Sequence, residues 1–371
     1  MLPNDYQPDQ YQELLNEKVA TVLSDFQALD APEPQIFPSP RHSFRMRTEF
    51  RVWHDDDDLN FVMFERERPR EPIKISAFPF GSNGIQAVLE PLRALLLTNP
   101  ILRTKLFQVE FLSTQSGECL VTLIYHRKLD EAWVQEATQV EQALNIKVIG
   151  RSRGQKLVVS DDWVTETLQV VGHSFTYKQP EQAFTQPNAM VNQKMLSWAC
   201  THAQNTEQDL LELYCGIGNF TIPLSKHYRR VLATEVSKVA TRAAQDNLAL
   251  NGVDNVAFVR LAAEEVTQAL NGEREFRRLK SLEPPLLEYE IGTIFVDPPR
   301  AGLDAGTIRL CQRFNQILYI SCNPLTLIDN LKSLSVTHRI EALAFFDQFP
   351  YTHHLECGVS LIRRGSHEST N

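Results

Sequence analysis

Asp209-Leu210-Leu211-Glu212-Leu213-Tyr214-Cys215-Gly216-Ile217-Gly218-Asn219 is a short, mostly apolar run that feeds directly into a glycine turn. Strand, turn, helix is the implied order. Val231-Leu232-Ala233-Thr234-Glu235 reads as the next buried strand, and residues 238–250 as a helix closed by Asn251-Gly252. Residues 256–259, 293–296 and 317–320 repeat the apolar theme, with helical patterns or loops between them. Apolar runs alternating with helices predict a parallel, doubly wound α/β sheet of Rossmann-like type. In such sheets ligands bind outside the carboxyl ends of the strands, where Gly216 and Gly218 fall.

Toward the N-terminus the texture differs. In residues 5–27, Tyr11, Leu14, Leu15, Val19, Val22 and Phe26 recur at helical steps, and Ala31-Pro32-Glu33-Pro34 ends the pattern. Residues 44–62 and 106–123 alternate like strands, 131–144 look helical, and 156–159 and 167–171 again look like strands. The expected organisation is therefore a smaller α+β domain over residues 1–175, followed by the α/β domain over residues 176–371. At 371 residues and 43% apolar content, the chain can furnish a core for each. No internal repeat is visible, and the polar tail 365–371 is expected to be disordered.

Composition excludes several classes. Met1-Leu2-Pro3-Asn4-Asp5 carries no basic segment leading into an apolar one, and no apolar run approaches the roughly 18–20 residues of a membrane span. A cytoplasmic protein without a membrane partner is expected, and nothing marks an obligate protein partner. Cysteines at 119, 200, 215, 311, 322 and 357 include no Cys-x-x-Cys pair, so neither a metal nor an iron–sulfur cluster is expected. Their scatter fits reduced thiols. A net charge of −9 argues against sequence-blind coating of nucleic acid. One local run departs from it: Arg41, Arg45, Arg47 and Arg51 interleave with Phe44 and Phe50, a mixture suited to phosphates and unstacked bases. Asp55-Asp56-Asp57-Asp58 follows at once, so a solvated strand pair with an acidic turn accounts for the same residues.

The chemistry lies in the C-terminal half. Gly216 and Gly218 let a ligand approach the backbone, and Glu235 ends the second strand about 20 residues later, the placement of a carboxylate that binds a ribose diol. Position 221 is Thr rather than a third glycine, so a pyrophosphate cradle is not required, and S-adenosylmethionine (SAM) fits better than a dinucleotide. A structural glycine turn beside a surface Glu is the bland alternative. Asp297-Pro298-Pro299-Arg300 follows the strand at 293–296, and the two prolines hold Asp297 rigidly at the ligand edge. Amine-methylating SAM enzymes end a related element in an aromatic; Arg300 stands there instead. Cys322 ends the following strand, in Ile320-Ser321-Cys322-Asn323-Pro324, and Glu356 lies beyond it. Thiol plus carboxylate is the pair needed to methylate a poor carbon nucleophile such as uracil C5. Thiolate addition at C6 activates C5, and a base then removes the C5 proton. The helical pattern after Pro324 could offer its N-terminus to the thiolate. Each piece has a plainer explanation: a strand-end Cys as a small buried hydrophobe, Glu356 as a paired acid, and His353-His354 as a structural pair rather than metal ligands.

Taken in order, Phe184-Thr185-Gln186-Pro187-Asn188, Glu212 through Asn219, Asp297-Pro298-Pro299-Arg300, Ser321-Cys322-Asn323-Pro324 and His354-Leu355-Glu356-Cys357 resemble the RNA uracil-5 methyltransferase family. Residues 44–54, Lys105-Leu106-Phe107-Gln108 and residues 346–354 are similar to its bacterial tRNA branch. The resemblance covers nearly the whole chain and implies a class I SAM-dependent methyltransferase domain preceded by an RNA-binding one. It implies Cys322 as nucleophile and Glu356 as C5 proton acceptor, with Gln186, Tyr214, Asn219, Glu235 and Asp297 beside Gly216 in the SAM site. The implied partner is the T-arm of tRNA, with uridine 54 as target, and T-loop-like RNAs such as tmRNA as further substrates. Arg47, Arg51 and Phe107 are the RNA-contact candidates, Phe107 filling the place of the unstacked base. A ribosomal-RNA uridine methyltransferase is the alternative enzyme, but such relatives commonly carry an extra domain and a four-Cys cluster for which this chain lacks length and cysteines. A noncatalytic RNA-binding protein of the same fold is the alternative of another class.

Overall fold

A computed structural model describes residues 2–65, 67–203 and 207–365. Of the tail expected to be disordered, residues 366–371 lie outside the described residues. Helix α1 (Tyr11–Gln27) buries Tyr11, Leu15, Val19, Val22 and Phe26, the face anticipated from its spacing, and strand β1 (Gln35–Phe37) follows. Then come β2 (Arg47–Asp55), β3 (Asp58–Phe64), β4 (Pro72–Lys74), α2 (Asn83–Thr98), α3 (Pro100–Arg103), β5 (Leu106–Ser113), β6 (Cys119–Tyr125), α4 (Glu131–Leu144), β7 (Lys147–Ser152) and β8 (Gln155–Val158). Strands β2 to β8 form one seven-stranded sheet in the order β4-β3-β2-β5-β6-β7-β8. Its helices are capped by the residue types that satisfy free N–H groups: Ser82 accepts from Ile85 N, Asn99 from Leu102 N and Asp130 from Trp133 N.

The hairpin of β9 (Trp163–Val170) and β10 (His173–Pro180) leads into α5 (Ala189–Thr201). The remaining elements alternate: β11 (Asp209–Leu213), α6 (Thr221–Leu224), β12 (Val231–Thr234), α7 (Lys238–Leu250), β13 (Val256–Val259), α8 (Ala263–Leu270), β14 (Ile291–Val296), α9 (Ala305–Cys311), β15 (Gln316–Ser321), α10 (Pro324–Leu334), β16 (His338–Phe346) and β17 (Glu356–Arg363). They build an eight-stranded sheet, β1-β16-β17-β15-β14-β11-β12-β13. Strands β11, β12, β13, β14 and β15 are parallel, as their near-continuous apolar runs predict. Three of its strands were not anticipated: β1, β16, and β17, which runs antiparallel between β15 and β16. The strand order reverses between β11 and β14, and that switch point opens a crevice at their carboxyl ends.

Two segments from the first 175 residues pack with this second sheet. Strand β1 extends it by pairing with β16, and α1 shares an apolar core with β14, β15 and α10. A buried ion pair fixes the helix: Lys18 Nζ lies 2.6 Å from Asp347 Oδ1 and 3.0 Å from the Phe349 carbonyl, and the Tyr11 hydroxyl donates to Asp347 Oδ2 at 2.9 Å. The side chains of Lys18 and Asp347 are 6% and 1% exposed, so removing one partner strands the other's charge. Lys18→Ala is expected to lower the unfolding free energy by about 3 kcal/mol in urea titrations. A loss below about 1 kcal/mol would show that α1 is held by its apolar face alone.

Candidate active site

Strand β11 delivers the turn that forms the floor of the crevice. It is buried along its whole length, and the chain then reverses through left-handed backbone at Tyr214 (φ 61°), Gly216 (φ 56°) and Gly218 (φ 85°). That conformation costs Gly little and Tyr more, and strain of this sort gathers at ligand sites. Leu213 pairs with Val296, so the next residues, Tyr214 and Asp297, emerge side by side at the carboxyl edge. Gln186, Tyr214, Gly216, Asn219 and Asp297 line one cleft, with Phe184 standing 71% exposed among its lining residues. Glu235 sits behind the turn: its Oε2 accepts from Gly216 N at 3.0 Å, and its Oε1 from Val236 N and Ser237 N at 2.9 and 2.8 Å. Those bonds hold the carboxylate at the tip of β12, where lone pairs remain for a diol. Asn219 is oriented by a reciprocal amide pair with Asn192, at 2.9 and 3.0 Å.

Glu212 was not singled out from the sequence, although an acid within an apolar strand was a visible signal. It is 1% exposed, lines the same cleft, and its Oε2 has no hydrogen-bond partner among the described residues. Burial, with the nearby Asp297 charge, pushes its carboxyl up to about 8. The lining of this cleft includes two carboxyls, Glu212 and Asp297, and no Lys or Arg. A pyrophosphate would find no counter-charge there. The residues do fit SAM: carboxyls for its ammonium and sulfonium, and the glycine turn with Glu235 for its ribosyl group.

Cys322 stands one residue past β15. Ser321 pairs with Cys357, so one step further along the antiparallel ladder sets Cys322 against Glu356 on the same face, and Cys357 faces the other way. Of the six cysteines only Cys322 is not buried. Asn323 caps α10 by accepting from Leu325 N at 3.2 Å, and Pro324 opens the helix, as expected for a thiol beside a helix N-terminus. The dominant electrostatics run against the expectation of an activated thiolate. Burial pushes the thiol up to about 11, the Glu356 and Asp297 carboxyls add to the rise, and Arg300 opposes it. Glu356 is 4% exposed and is raised to about 8 by burial and by Asp297; burial raises Asp297 itself to about 7. Arg300, the cation that lowers both Cys322 and Glu356, is held by its carbonyl, which accepts from Asn323 Nδ2 at 3.1 Å and Thr326 Oγ1 at 3.2 Å. His354 Nδ1 lies 3.4 Å from its guanidinium. Among the described residues no group of three or more His, Cys, Asp or Glu is placed to hold a metal ion, and no helix is long and apolar enough to cross a membrane.

The three candidates for RNA contact lie elsewhere, on the seven-stranded sheet. Phe107 is flanked by the Arg51 guanidinium, 4.0 Å from its ring centre, and by the His126 ring at 4.2 Å. His126, not anticipated, joins them because β5 pairs with β6. All three are at or beside a groove whose lining includes His54, Arg103 and Lys105. Arg47 is engaged differently. Its guanidinium donates to the carbonyls of Glu181 and of Ala183, the latter at 2.8 Å, and so ties β2 to the segment that leads to Gln186.

A family profile described as tRNA (Uracil-5-)-methyltransferase matches residues 10–364. The chain is 53% identical over 354 residues to a tRNA/tmRNA (uracil-C(5))-methyltransferase of Acinetobacter baylyi, covering 95% of this chain and 98% of that protein. It is 52% identical over 359 residues to the protein of the same name from Pseudomonas putida, covering 97% and 99%. Its fold is similar to that of the Pyrococcus abyssi tRNA (uracil-54, C5)-methyltransferase in complex with S-adenosyl-L-homocysteine, with a TM-score of 0.72 at 20% identity over 95% of this chain and 83% of that one.

The electrostatics make a direct prediction. Because the Cys322 thiol is raised, the rate of its alkylation by iodoacetamide in the free protein should climb steadily with pH and level off only near about 11. Glu356→Gln removes a carboxylate that opposes the thiolate, so this variant should react faster at pH 9. A plateau below pH 9 in the unsubstituted protein, followed by mass spectrometry of the Cys322 peptide, would contradict the assignment.

Proposed function

The chain belongs to the tRNA (uracil-5-)-methyltransferase family, and from that premise we propose how this enzyme methylates uracil C5: through Cys322 and Glu356, on the T-loop uridine of tRNA. The observation that carries the reading is the β15–β17 register, which sets the one cysteine that is not buried against a buried carboxyl, both near enough to Asp297 of the cleft to feel its charge. SAM supplies an electrophilic methyl group on a sulfonium. The Cys322 Sγ–C6 bond forms as the C5=C6 electrons move toward O4, leaving C5 as the carbon nucleophile. After C5 is methylated, the Glu356 carboxylate takes the C5 proton. The electrons of that C–H bond re-form C5=C6, and the Sγ–C6 bond breaks to release the thiolate.

A carboxyl raised to about 8 is a stronger base than an exposed Glu and lies close to the pH at which it must work. The carboxyls that raise the thiol also face the ligand side, so positive charge in the cleft favours the thiolate, in the same direction as Arg300. Gln186, Tyr214, Gly216, Asn219, Glu235 and Asp297 hold SAM in this reading, with Glu212 added to them.

The T-arm lies on the face that carries Arg51 and Phe107, and Arg47 ties that sheet to the cofactor segment. Phe107, packed beside a guanidinium and an imidazole, is the aromatic on that face to take the place of a base that has been drawn out. T-loop-like RNAs such as tmRNA offer the same geometry, and the reading places the reaction in the cytoplasm.

tRNA containing 5-fluorouridine tests the covalent step, because fluorine at C5 cannot leave as a proton. A band of enzyme joined to RNA on a denaturing gel is expected with SAM present, and its absence would defeat the mechanism. Cys322→Ala should lose that band while still binding S-adenosylhomocysteine. On ordinary tRNA, Glu356→Gln should accumulate methylated adduct and slow turnover by at least about a hundredfold. Unimpaired turnover would remove Glu356 as the base.

A further inference from the structure

Gln348 lies in the loop after β16, outside every role assigned so far, yet it is 1% exposed and touches a residue of the cleft. Its amide orientation follows from its neighbours. The backbone N–H of Asn188 can only donate, so the Gln348 atom 3.0 Å from it is Oε1. The other end of the amide, Nε2, then points at the Gln186 side chain at 3.2 Å and at Met195 Sδ at 3.3 Å. A donor there requires an acceptor, so the Gln186 atom facing it is Oε1. The Gln186 NH2 group is thereby the end left over, and no hydrogen bond from it is made among the described residues. One backbone N–H thus fixes two amides in series.

The surroundings hold the chain of bonds still. Asn188 Nδ2 donates to Ser39 Oγ at 2.7 Å, and Ser39 N donates to the Tyr11 hydroxyl at 2.7 Å. Tyr11 and Lys18 both bind Asp347, the residue before Gln348. The loop is therefore anchored on α1, while its next side chain reaches across to Gln186, 162 residues earlier in the chain.

We propose that Gln348 is a positioning residue that locks the Gln186 amide with its NH2 group presented to the cleft, so that the site selects an acceptor oxygen there. Resting on the reading that Gln186 contacts a ligand, this deepens the proposed function. The acceptor is either the carboxylate of the cofactor or a carbonyl of the uracil ring. In the second case the same lock disfavours cytosine, which presents an amine in place of O4.

Gln348→Glu tests the lock. The substituted side chain keeps its shape and still accepts from Asn188 N, but it offers Gln186 an acceptor instead of a donor, so Gln186 must turn and present Oε1 to the cleft. Binding of S-adenosylhomocysteine and KM for tRNA are measured for the unsubstituted enzyme, Gln348→Glu, Gln186→Ala and the double variant, with Tm as the check on folding. Gln348→Glu is expected to weaken one of the two by about tenfold. Loss of homocysteine-ligand binding identifies the cofactor carboxylate, and a raised KM for tRNA identifies the uracil carbonyl. Gln186→Ala should weaken the same one, and the double variant should be no worse than Gln186→Ala. An equal loss from Gln348→Glu with and without the Gln186 side chain would overturn the proposal in favour of a structural role, as would no loss where Gln186→Ala has one. If Gln186→Ala changes neither quantity, the placement of Gln186 at a ligand fails first and takes the proposal with it. Should Gln348→Glu not fold, Gln348→Met, which leaves Gln186 free to turn, carries the same comparison with an expected loss of about threefold.

Discussion

Insertion of β17 antiparallel between β15 and β16 is the constraint on which the site depends. Cys322 arrives from a parallel strand and Glu356 from an antiparallel one, so their meeting is a matter of register alone. Side chains alternate faces along a strand, and a slip of one residue would exchange Glu356 for Cys357. Two neighbours pin the register: β15 on one side, with six paired positions, and β16 on the other. Gly358, two residues beyond Glu356, sits where an added Cβ would come within 2.9 Å of Trp198 and 3.0 Å of Phe346, so any larger residue there must displace those rings.

A second theme is charge left unbalanced. Glu212, Asp297 and Glu356 converge on the crevice, and all three are raised by burial, Glu212 and Glu356 further by Asp297. Burying carboxyls without partners is costly; Asp209, fully buried at the start of β11, is by contrast held by both Arg229 and Arg230. The orphaned Glu212 oxygen, beside Asp297 in a cleft whose lining has no Lys or Arg, therefore favours a ligand that brings positive charge. The thiol of Cys322 is raised by two of these carboxyls, Glu356 and Asp297, so positive charge in the crevice acts to lower it.

The two sheets are joined by polar contacts that converge on the segment carrying Gln186. Arg47 binds the carbonyls of Glu181 and Ala183, Met46 N donates to Pro187 O at 2.7 Å, and Asn188 answers Ser39 and Gln348. The face bearing Arg51, Phe107 and His126 is thus mechanically continuous with the crevice.

Much of the α/β sheet was legible from the residues because its signals are local. Apolar runs, the turn at Gly216 and Gly218, the helix closed by Asn251-Gly252 and the Pro324 helix start each follow from a few neighbouring side chains. Cys322 and the residues around the turn were singled out in the same way, as chemistry placed at strand ends, whereas Glu356 was singled out without the strand that carries it. What the tertiary structure alone decided was which side chains meet. The face shared by Cys322 and Glu356, the orphaned oxygen of Glu212, the place of His126 beside Phe107, the docking of α1 and β1 on the second sheet and the two amides locked through Gln348 all depend on pairings between segments distant in the chain. Periodicity and turn chemistry fix an element from within; register, burial and hydrogen-bond partners are fixed by whatever packs against it.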